Sequence, residues 1–368
     1  MVPFLFALLT SLVFTVLIVR SAHLHGAFSH DHADSGPQKF HFHPTPRIGG
    51  IPIVFGWLAG MGVAWWKGWL PDELWWLVLS ALPVLGAGLA EDVTKRISPQ
   101  WRLLFAFLAA GLGFWLLGAE IRRLDIAWFD AALAWTPLAL AVTLLVVGGV
   151  SHALNIIDGY NGLAAMIVVM ILGALAYVSL ALNDWGLLSV CLAMIGATIG
   201  FLILNYPKGL IFAGDGGAYL WGFVIAEISV LLVMRHPEVS AWFPLLLVIY
   251  PVWETVFSIY RRSILRRASP GLPDSLHLHQ LVYLRLVRWM VGSSNACHKV
   301  RRNSMTSPYL WAFAMMTVIP ALVFWRNTPA LMAIVCLFIL LYVWLYWRIV
   351  RFRVPHYLIL RQKFKNKD

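Results

Sequence analysis

Eleven apolar segments, each long enough to cross a bilayer, constrain this chain more than any other feature of its sequence. A helix of about 20 apolar residues spans the hydrocarbon core of a membrane. Hydrophobic residues make up 60% of the 368 residues and charged residues 12%, whereas soluble domains average about 45–50% and about 25%. This composition excludes a soluble enzyme, a disulfide scaffold and a disordered chain. We therefore predict an all-α polytopic membrane protein with about 11 transmembrane helices. The segments are 3–19, 49–66, 74–90, 102–119, 133–150, 163–182, 185–204, 212–234, 241–260, 308–325 and 329–347.

Lysine and arginine residues are distributed unevenly between the two sides of these segments. One side holds 23 of the 28 and the other side holds 5. Because cytoplasmic loops carry the excess of basic residues, we expect the richer side in the cytoplasm and the N-terminus in the periplasm. The basic loop 261–306 and the basic tail 348–368 then lie in the cytoplasm. No repeat or long linker divides the chain, so we predict a single integral-membrane domain over residues 1–368.

Polar residues that loops do not require collect at the predicted cytoplasmic ends of five separate stretches. Carboxylates also occur in the outer loops, but no glycine turns accompany them, and His236 is their sole histidine neighbour. We therefore expect one functional site, at the cytoplasmic face. Its candidate residues are Glu91, Asp92, Asn155, Asp158, Asn205, Asp215, Asp274, His277 and His279.

The first stretch ends a predicted span in the sequence Gly-Leu-Ala-Glu91-Asp92. Two adjacent carboxylates repel each other, so one can hold a proton while the other binds a cation. The alternative is an ordinary ion pair at the membrane interface, because Lys95 and Arg96 follow directly.

The stretch Asn155-Ile-Ile-Asp158-Gly-Tyr-Asn-Gly162 places Asn155, Asp158 and Gly162 on one helical face. An amide and a carboxylate there can share a metal or hold a polar ligand, although Asn and small residues also join helices in membranes. Farther along, Asp215 lies among glycines where a span enters from the cytoplasm. Backbone N–H groups at such a helix start favour phosphate, and one carboxylate suits Mg²⁺; a plain turn is the alternative.

His277 and His279 are separated by one residue in a basic loop. On a helix the two rings would point in different directions, so joint action requires an extended or turn backbone. The preceding proline and glycine residues favour such a backbone. Simple solvation of both histidines is the alternative.

Taken in order, these motifs resemble the polyprenyl-phosphate N-acetylhexosamine-1-phosphate transferases, the MraY/WecA family of glycosyltransferases. The resemblance covers residues 40–285 and includes five motifs. In this chain Glu91 stands where the family usually has an aspartate, and Gln280 stands where a further histidine is common. The motifs are His43-Pro-Thr-Pro-Arg47, Gly88-Leu-Ala-Glu91-Asp92, Asn155-Ile-Ile-Asp158-Gly, Asn205 followed by Asp215, and His277-Leu-His279-Gln280.

The resemblance implies transfer of an N-acetylhexosamine-1-phosphate from a UDP-sugar to undecaprenyl phosphate, with release of UMP. This reaction starts a lipid-linked glycan such as O-antigen, exopolysaccharide or another cell-envelope polysaccharide. The implied location is the bacterial inner membrane, with the active site and C-terminus cytoplasmic. The implied partners are the two substrates and membrane lipid, not nucleic acid, and a homo-oligomer is compatible with the sequence. The identity of the N-acetyl sugar stays open.

The resemblance also implies residue roles. The catalytic carboxylates are expected to be Glu91, Asp92, Asp158 and Asp215. Mg²⁺, or Mn²⁺ in its place, is expected on Asp215 with help from Asn155 and Asp92. Glu91 is expected to orient the lipid phosphate or take its last proton. The expected substrate-binding residues are Arg47, Asn155, Asp158, Asn205, His277 and His279.

Polytopic shape alone also allows a transporter or a flippase for lipid-linked sugars. Glu227 and Glu254 are ionisable residues inside predicted spans, and such residues are candidates for a functional role. For Glu254, buried pairing with Arg261 and Arg262 is equally open. Transporters usually bind substrate near the midplane between repeated halves, so a polar cluster at one boundary favours the transferase. A scaffold whose basic loops bind acidic lipid is a third possibility, and it predicts no UMP release.

Overall fold

The computed structural model describes residues 1–31, 45–265, 276–287 and 296–351. A pair of two-residue strands, β1 (His30–Asp31) and β2 (Thr45–Pro46), is antiparallel. Irregular helical turns cover Asp72–Trp75, Arg261–Leu265 and Val282–Val287. The helices are α1 (Val2–Arg20), α2 (Ala22–Ser29), α3 (Gly50–Trp66), α4 (Trp76–Thr94), α5 (Pro99–Leu116), α6 (Ala127–Leu133), α7 (Thr136–Ile157), α8 (Leu163–Ala181), α9 (Trp185–Asn205), α10 (Gly214–Arg235), α11 (Trp242–Tyr260), α12 (Leu278–Leu281), α13 (Ala296–Phe324) and α14 (Thr328–Val350).

The long helices correspond to the apolar segments of the sequence. Within the described ranges, nine helices are long and apolar enough to cross a membrane. Two more, α3 and α5, coincide with the remaining predicted segments, and α3 has 17 residues. The predicted all-α polytopic class is therefore confirmed, and the exact number of spans stays a prediction.

Helix α10 occupies the centre of the bundle. Every residue from 214 to 233 is buried, as expected for a helix that is apolar on all sides. It packs against α4 and α7, with α3, α5 and α8 completing its surroundings. In contrast, α1 packs on α3 and α9 and exposes Leu5, Leu9 and Val13 on its outer side. The central position of α10 places its first turn, which contains Asp215, among several other helix ends.

At the opposite end of the bundle, acidic residues stabilise helix starts. Asp125 Oδ2 accepts hydrogen bonds from Ser240 Oγ (3.0 Å), Thr328 Oγ1 (2.9 Å) and the Ala241 N–H (2.9 Å). This carboxylate therefore links the beginnings of α11 and α14. Its role is structural, in keeping with the expectation that functional polar residues collect at the other face.

The segment 261–306 contains more helix than the loop predicted for it. Helix α11 continues into the turn Arg261–Leu265, and α13 begins at Ala296, well before the predicted span that starts at 308. The predicted loop boundary at 306 therefore falls inside α13. The polar first half of this helix stays helical because side chains such as Asn303 and Ser307 find hydrogen-bond partners inside the protein. Asp274 and the tail beyond Arg351 lie outside the described residues.

Candidate active site

The start of α10 organises the site. The chain between β2 and α3 runs beside the residues that precede α10, because the Gly49 and Gly50 N–H groups donate to the Phe212 and Ala213 carbonyls, each over 2.9 Å. Gly214 has a φ of +71°, a conformation that favours glycine. A side chain at Gly214 would also overlap the Arg47 carbonyl oxygen. Glycine therefore permits the close approach that brings Arg47 to the first turn of α10.

Asp92, in the last turn of α4, caps α10. Its Oδ1 accepts the Asp215 N–H over 2.7 Å and its Oδ2 accepts the Gly216 N–H over 2.9 Å. A carboxylate at a helix start satisfies N–H groups that lack partners within the helix and interacts favourably with the helix dipole. Gly88 lets α4 approach this closely, because a Cβ there would lie 2.7 Å from the Asp215 carbonyl carbon. The Asp92 carboxylate thus contacts the backbone of Asp215, the residue that it was predicted to help in holding a metal ion.

The Asp215 carboxylate is the meeting point of three further stretches. Its Oδ1 accepts Arg47 Nη2 over 2.6 Å and Asn155 Nδ2 over 3.1 Å. Its Oδ2 accepts a hydrogen bond from Arg102 Nη1. Asp215 is 1% exposed, while the side chains of both arginines reach solvent in part. The structure therefore brings together Arg47, Asn155 and the two aspartates of α4 and α10, as their motifs predicted.

Arg102 is a site residue that sequence reasoning missed. In the sequence it was counted only among the 23 basic residues of the predicted cytoplasmic side, whereas it lies in the first turn of α5 and points at Asp215. Its Nε is buried and has no hydrogen-bond partner among the described residues. The available signal was a lone cation at the start of an apolar helix, beside the acidic motif.

Asp158 lies beside this cluster, at the end of α7. The residue is half-buried, but protein surrounds its carboxyl group. Burial raises the pKa of this carboxyl to about 7; Arg47 opposes the rise and Asp215 adds to it. A carboxyl with such a pKa exchanges a proton readily near neutral pH.

Glu91 and Asn205 make contacts within the protein instead of pointing at Asp215. Glu91 Oε2 accepts the Ile97 N–H over 2.7 Å in the loop after α4. Asn205 Oδ1 accepts the Gly162 N–H over 2.6 Å, and its Nδ2 donates to the Ile211 carbonyl over 2.7 Å. The buried Asn205 amide therefore shapes two loops of the site. Contact of either residue with substrate stays a prediction.

The two histidines share one anchor, the buried Glu254 of α11. His277 Nδ1 and His279 Nδ1 each lie 3.5 Å from Glu254 Oε1, which also accepts the Leu278 N–H over 2.5 Å. The two rings stack with centroids 5.2 Å apart. This geometry is possible because His277 has an extended backbone (ψ 153°) ahead of α12, as joint action of the pair required.

Among the described residues, the structure does not show the pairing of Glu254 with arginine that was one interpretation of the sequence. Glu254 pairs with the histidines, and Arg261 instead donates to the Leu276 carbonyl and to Tyr346 Oη. Pairing of Glu254 with Arg261 was therefore the wrong alternative. Gln280 Oε1 accepts the His277 N–H over 3.1 Å, so it stabilises the start of α12. His279 packs on Tyr160, with ring centroids 5.8 Å apart, which links the pair to the turn after Asp158.

The side chains around Asp215 suit a hard divalent cation. Carboxylate and amide oxygens are the ligands that Mg²⁺ prefers, and Mg²⁺ commonly takes one or two carboxylates together with phosphate and water oxygens. In the described part of the chain, no group of three or more His, Cys, Asp or Glu residues forms a complete protein cage. Arg47 and Arg102 already balance the charge of Asp215, so the residues fit a cation that arrives together with an anionic ligand.

A bundle of membrane-length apolar helices, with a buried carboxylate paired to two arginines at one end, defines a polytopic membrane protein. Residues 74–233 match the model of glycosyl transferase family 4. The probable undecaprenyl-phosphate N-acetylglucosaminyl 1-phosphate transferase of Bacillus subtilis (strain 168) is 28% identical over 289 residues, which cover 76% of this chain and 75% of that protein. The phospho-N-acetylmuramoyl-pentapeptide-transferase of Lactobacillus helveticus (strain DPC 4571) is 29% identical over 311 residues, which cover 78% of this chain and 94% of that protein.

The chain shares these similarities over 76–78% of its length, which confirms the resemblance to the MraY/WecA family that its motifs indicate. It is therefore a multi-pass bacterial membrane protein and a phospho-sugar transferase.

Proposed function

We propose that the chain transfers an N-acetylhexosamine-1-phosphate from a UDP-sugar to undecaprenyl phosphate and releases UMP. An oxygen of the lipid phosphate forms a bond to the β-phosphorus of the UDP-sugar. The bond from that phosphorus to the bridging oxygen breaks, and the bridging oxygen leaves with UMP. The product is a lipid diphosphate that carries the sugar, the first intermediate of a cell-envelope polysaccharide.

The observation that carries this proposal is the pairing of one buried carboxylate, Asp215, with two arginines from different parts of the chain. Guanidinium groups bind phosphate through several N–H donors in a fixed plane. The side chains of both arginines reach solvent in part, so their guanidinium groups are accessible to a phosphate group. Positioning and charge balance supply most of the catalysis in phosphoryl transfer.

Each side chain then has a role. Arg47 and Arg102 bind the diphosphate, and His277 and His279 add N–H donors from the opposite loop. Asp158, whose pKa is raised to about 7, binds the nucleotide or sugar, with Asn205 supporting its turn. Glu91 orients the lipid phosphate. Because that phosphate has a second pKa near 6, it needs little help from a base at neutral pH.

Mg²⁺ or Mn²⁺ would be held by Asp215, with Asn155 and Asp92 next to it. When bound, the cation supplies charge neutralisation for the diphosphate and the leaving UMP. Asp92 contributes chiefly by fixing the backbone of Asp215, since both of its oxygens accept N–H groups of α10.

The location of the site suits both substrates. One substrate is a soluble, charged diphosphate, and the other has its phosphate in the headgroup plane of the bilayer. A site at the end of the helices is where their reacting groups can meet. With the basic loops on the cytoplasmic side, this end faces the cytoplasm and the N-terminus faces the periplasm.

The experiment is a transfer assay with the purified full chain in detergent. Undecaprenyl phosphate is incubated with UDP-N-acetylglucosamine, UDP-N-acetylgalactosamine or a UDP-linked deoxy N-acetyl sugar, with Mg²⁺ or with chelator. We expect lipid product and UMP from at least one donor, no product with chelator, and no product from Asp215→Asn. The matched control Asp72→Asn changes an exposed aspartate that accepts Trp65 Nε1 and should react like the wild type. Absence of product with every donor contradicts the proposal.

A further inference from the structure

Side chains bind the turn that follows Asp158, in addition to main-chain hydrogen bonds from the Leu163 N–H to the Tyr160 carbonyl and from the Met166 N–H to the Gly162 carbonyl. The Asn161 N–H donates to Asn303 Oδ1 over 2.8 Å, and the Asn161 carbonyl accepts Ser307 Oγ over 2.6 Å. The Gly162 carbonyl accepts Trp311 Nε1 over 3.1 Å. The remaining Gly162 N–H donates to Asn205, as described above. All four backbone groups of these two residues therefore bind side chains.

Three of these four side chains belong to α13. Residues 303, 307 and 311 are spaced by four, so they form one stripe along the helix. Asn303 and Ser307 are buried, and Ser307 has no exposed surface. A buried backbone group that loses its partner costs about 1–3 kcal/mol. The stripe therefore fixes the position of this turn more strongly than helix packing alone could.

The turn links two parts of the active site. It begins directly after Asp158, and its Tyr160 packs against the ring of His279. Any shift of Asn161 and Gly162 would move Asp158 on one side and the support of the histidine pair on the other. Helix α13 lies outside residues 74–233, which match the family model.

We propose that Asn303, Ser307 and Trp311 of α13 are positioning residues that hold the Asp158 turn in its catalytic geometry. This inference rests on the proposed function, since it takes Asp158 and the histidines to act on the substrates. Small displacements in an active site can lower a rate by about 100-fold, so loss of one hydrogen bond should reach the chemistry without contact with substrate.

The test compares two serine substitutions on the same helix in the purified full chain. Ser307→Ala removes the donor to the turn, whereas Ser304→Ala removes a hydroxyl that bonds to carbonyls of its own helix. We expect Ser307→Ala to lower kcat about tenfold with little change in KM. Ser304→Ala should keep the wild-type kcat. Hydrogen–deuterium exchange of the peptide that contains residues 158–163 should increase in Ser307→Ala alone.

A second pair keeps the test decisive if Ser307→Ala folds poorly. Asn303→Asp retains an acceptor for the Asn161 N–H, whereas Asn303→Leu does not. We expect Asn303→Asp to keep both the exchange protection of the turn and the rate, and Asn303→Leu to lose both. Equal behaviour of Ser307→Ala and Ser304→Ala, or of the two Asn303 variants, in exchange and in kcat would overturn the inference. A wild-type enzyme that forms no lipid product would instead refute the proposed function, while the exchange data would still test the turn.

Discussion

The Oδ1 atom of Asp92 accepts the backbone N–H of Asp215 over 2.7 Å, so one predicted site carboxylate holds the backbone of the other. The two residues therefore have different tasks within one buried cluster. Asp92 completes the start of α10, and the Asp215 side chain remains directed at two arginines. Because Asp215 is held through its own main chain, the position of its carboxylate depends on the contact between α4 and α10.

The first prediction concerns this cap. Asp92→Asn replaces one acceptor with an NH₂ group that faces a backbone N–H, so we expect a loss of stability of about 1–3 kcal/mol. Activity should fall with it, because Asp215 moves. Thermal unfolding in detergent and the transfer assay measure the two effects. Asp72→Asn, at an exposed site, should unfold like the wild type. An Asp92→Asn protein with wild-type stability would show that the Asp92 cap does not stabilise the protein.

The second prediction tests the contact between α4 and α10 without changing any polar group. Gly88→Ala places a Cβ 2.6 Å from the Gly216 backbone nitrogen, so α10 must shift. We expect destabilisation of about 1–3 kcal/mol, typical of overpacking, and loss of transfer activity. Gly86→Ala is the matched control, because a Cβ at Gly86 meets nothing within 4 Å. Equal transfer activity of the two alanine variants would contradict the need for this close contact.

The convergence of the site could be predicted from the sequence, because topology decides it. Successive connections between spans lie alternately at the two membrane faces, so motifs in every second connection share one face. Arg47, Asp92, Asn155 and Asp215 do meet there. The division of labour between Asp92 and Asp215 could not be predicted. These different roles depend on how closely the end of α4 packs against the start of α10. Side-chain packing and the glycine at position 88 set that distance.

The third prediction concerns the arginine that the sequence did not reveal. Arg102→Met removes the donor to Asp215 Oδ2, and we expect kcat/KM for the UDP-sugar to fall about 100-fold, as for loss of a charged hydrogen bond. Arg102→Lys should recover part of the loss, because it keeps the charge without the planar donors. Steady-state kinetics provide the measurement. The control Arg96→Met changes an exposed neighbour; similar kinetics for Arg102→Met and Arg96→Met would remove Arg102 from the site.

The fourth prediction compares two buried glutamates. Glu254→Gln keeps an acceptor for the Leu278 N–H but removes the negative partner of His277 and His279. We expect kcat/KM to fall about tenfold or more, with no further loss when His279→Ala is added. Glu227→Gln is the matched control, since Glu227 is fully buried in α10 and has no hydrogen-bond partner within the described residues. The reverse result, with Glu227 essential and Glu254 dispensable, would favour a transporter.

The histidine loop shows where sequence reasoning reaches its limit. Spacing alone indicated that His277 and His279 need a non-helical backbone to act together, and the extended conformation of His277 agrees. Their partner Glu254 lies more than twenty residues away in another helix, and arginines nearer in sequence were equally plausible. Contacts between distant segments of like polarity depend on packing that no local pattern encodes.

The most direct test of the central claim follows the β-phosphate of the donor. The purified chain is incubated with undecaprenyl phosphate and a UDP-N-acetylhexosamine that is radiolabelled in its β-phosphate, and lipid and water phases are separated. Our account predicts that the label enters the lipid phase together with the sugar and that unlabelled UMP is released. Label that remains in the water phase as UDP, while the sugar alone enters the lipid, would contradict it.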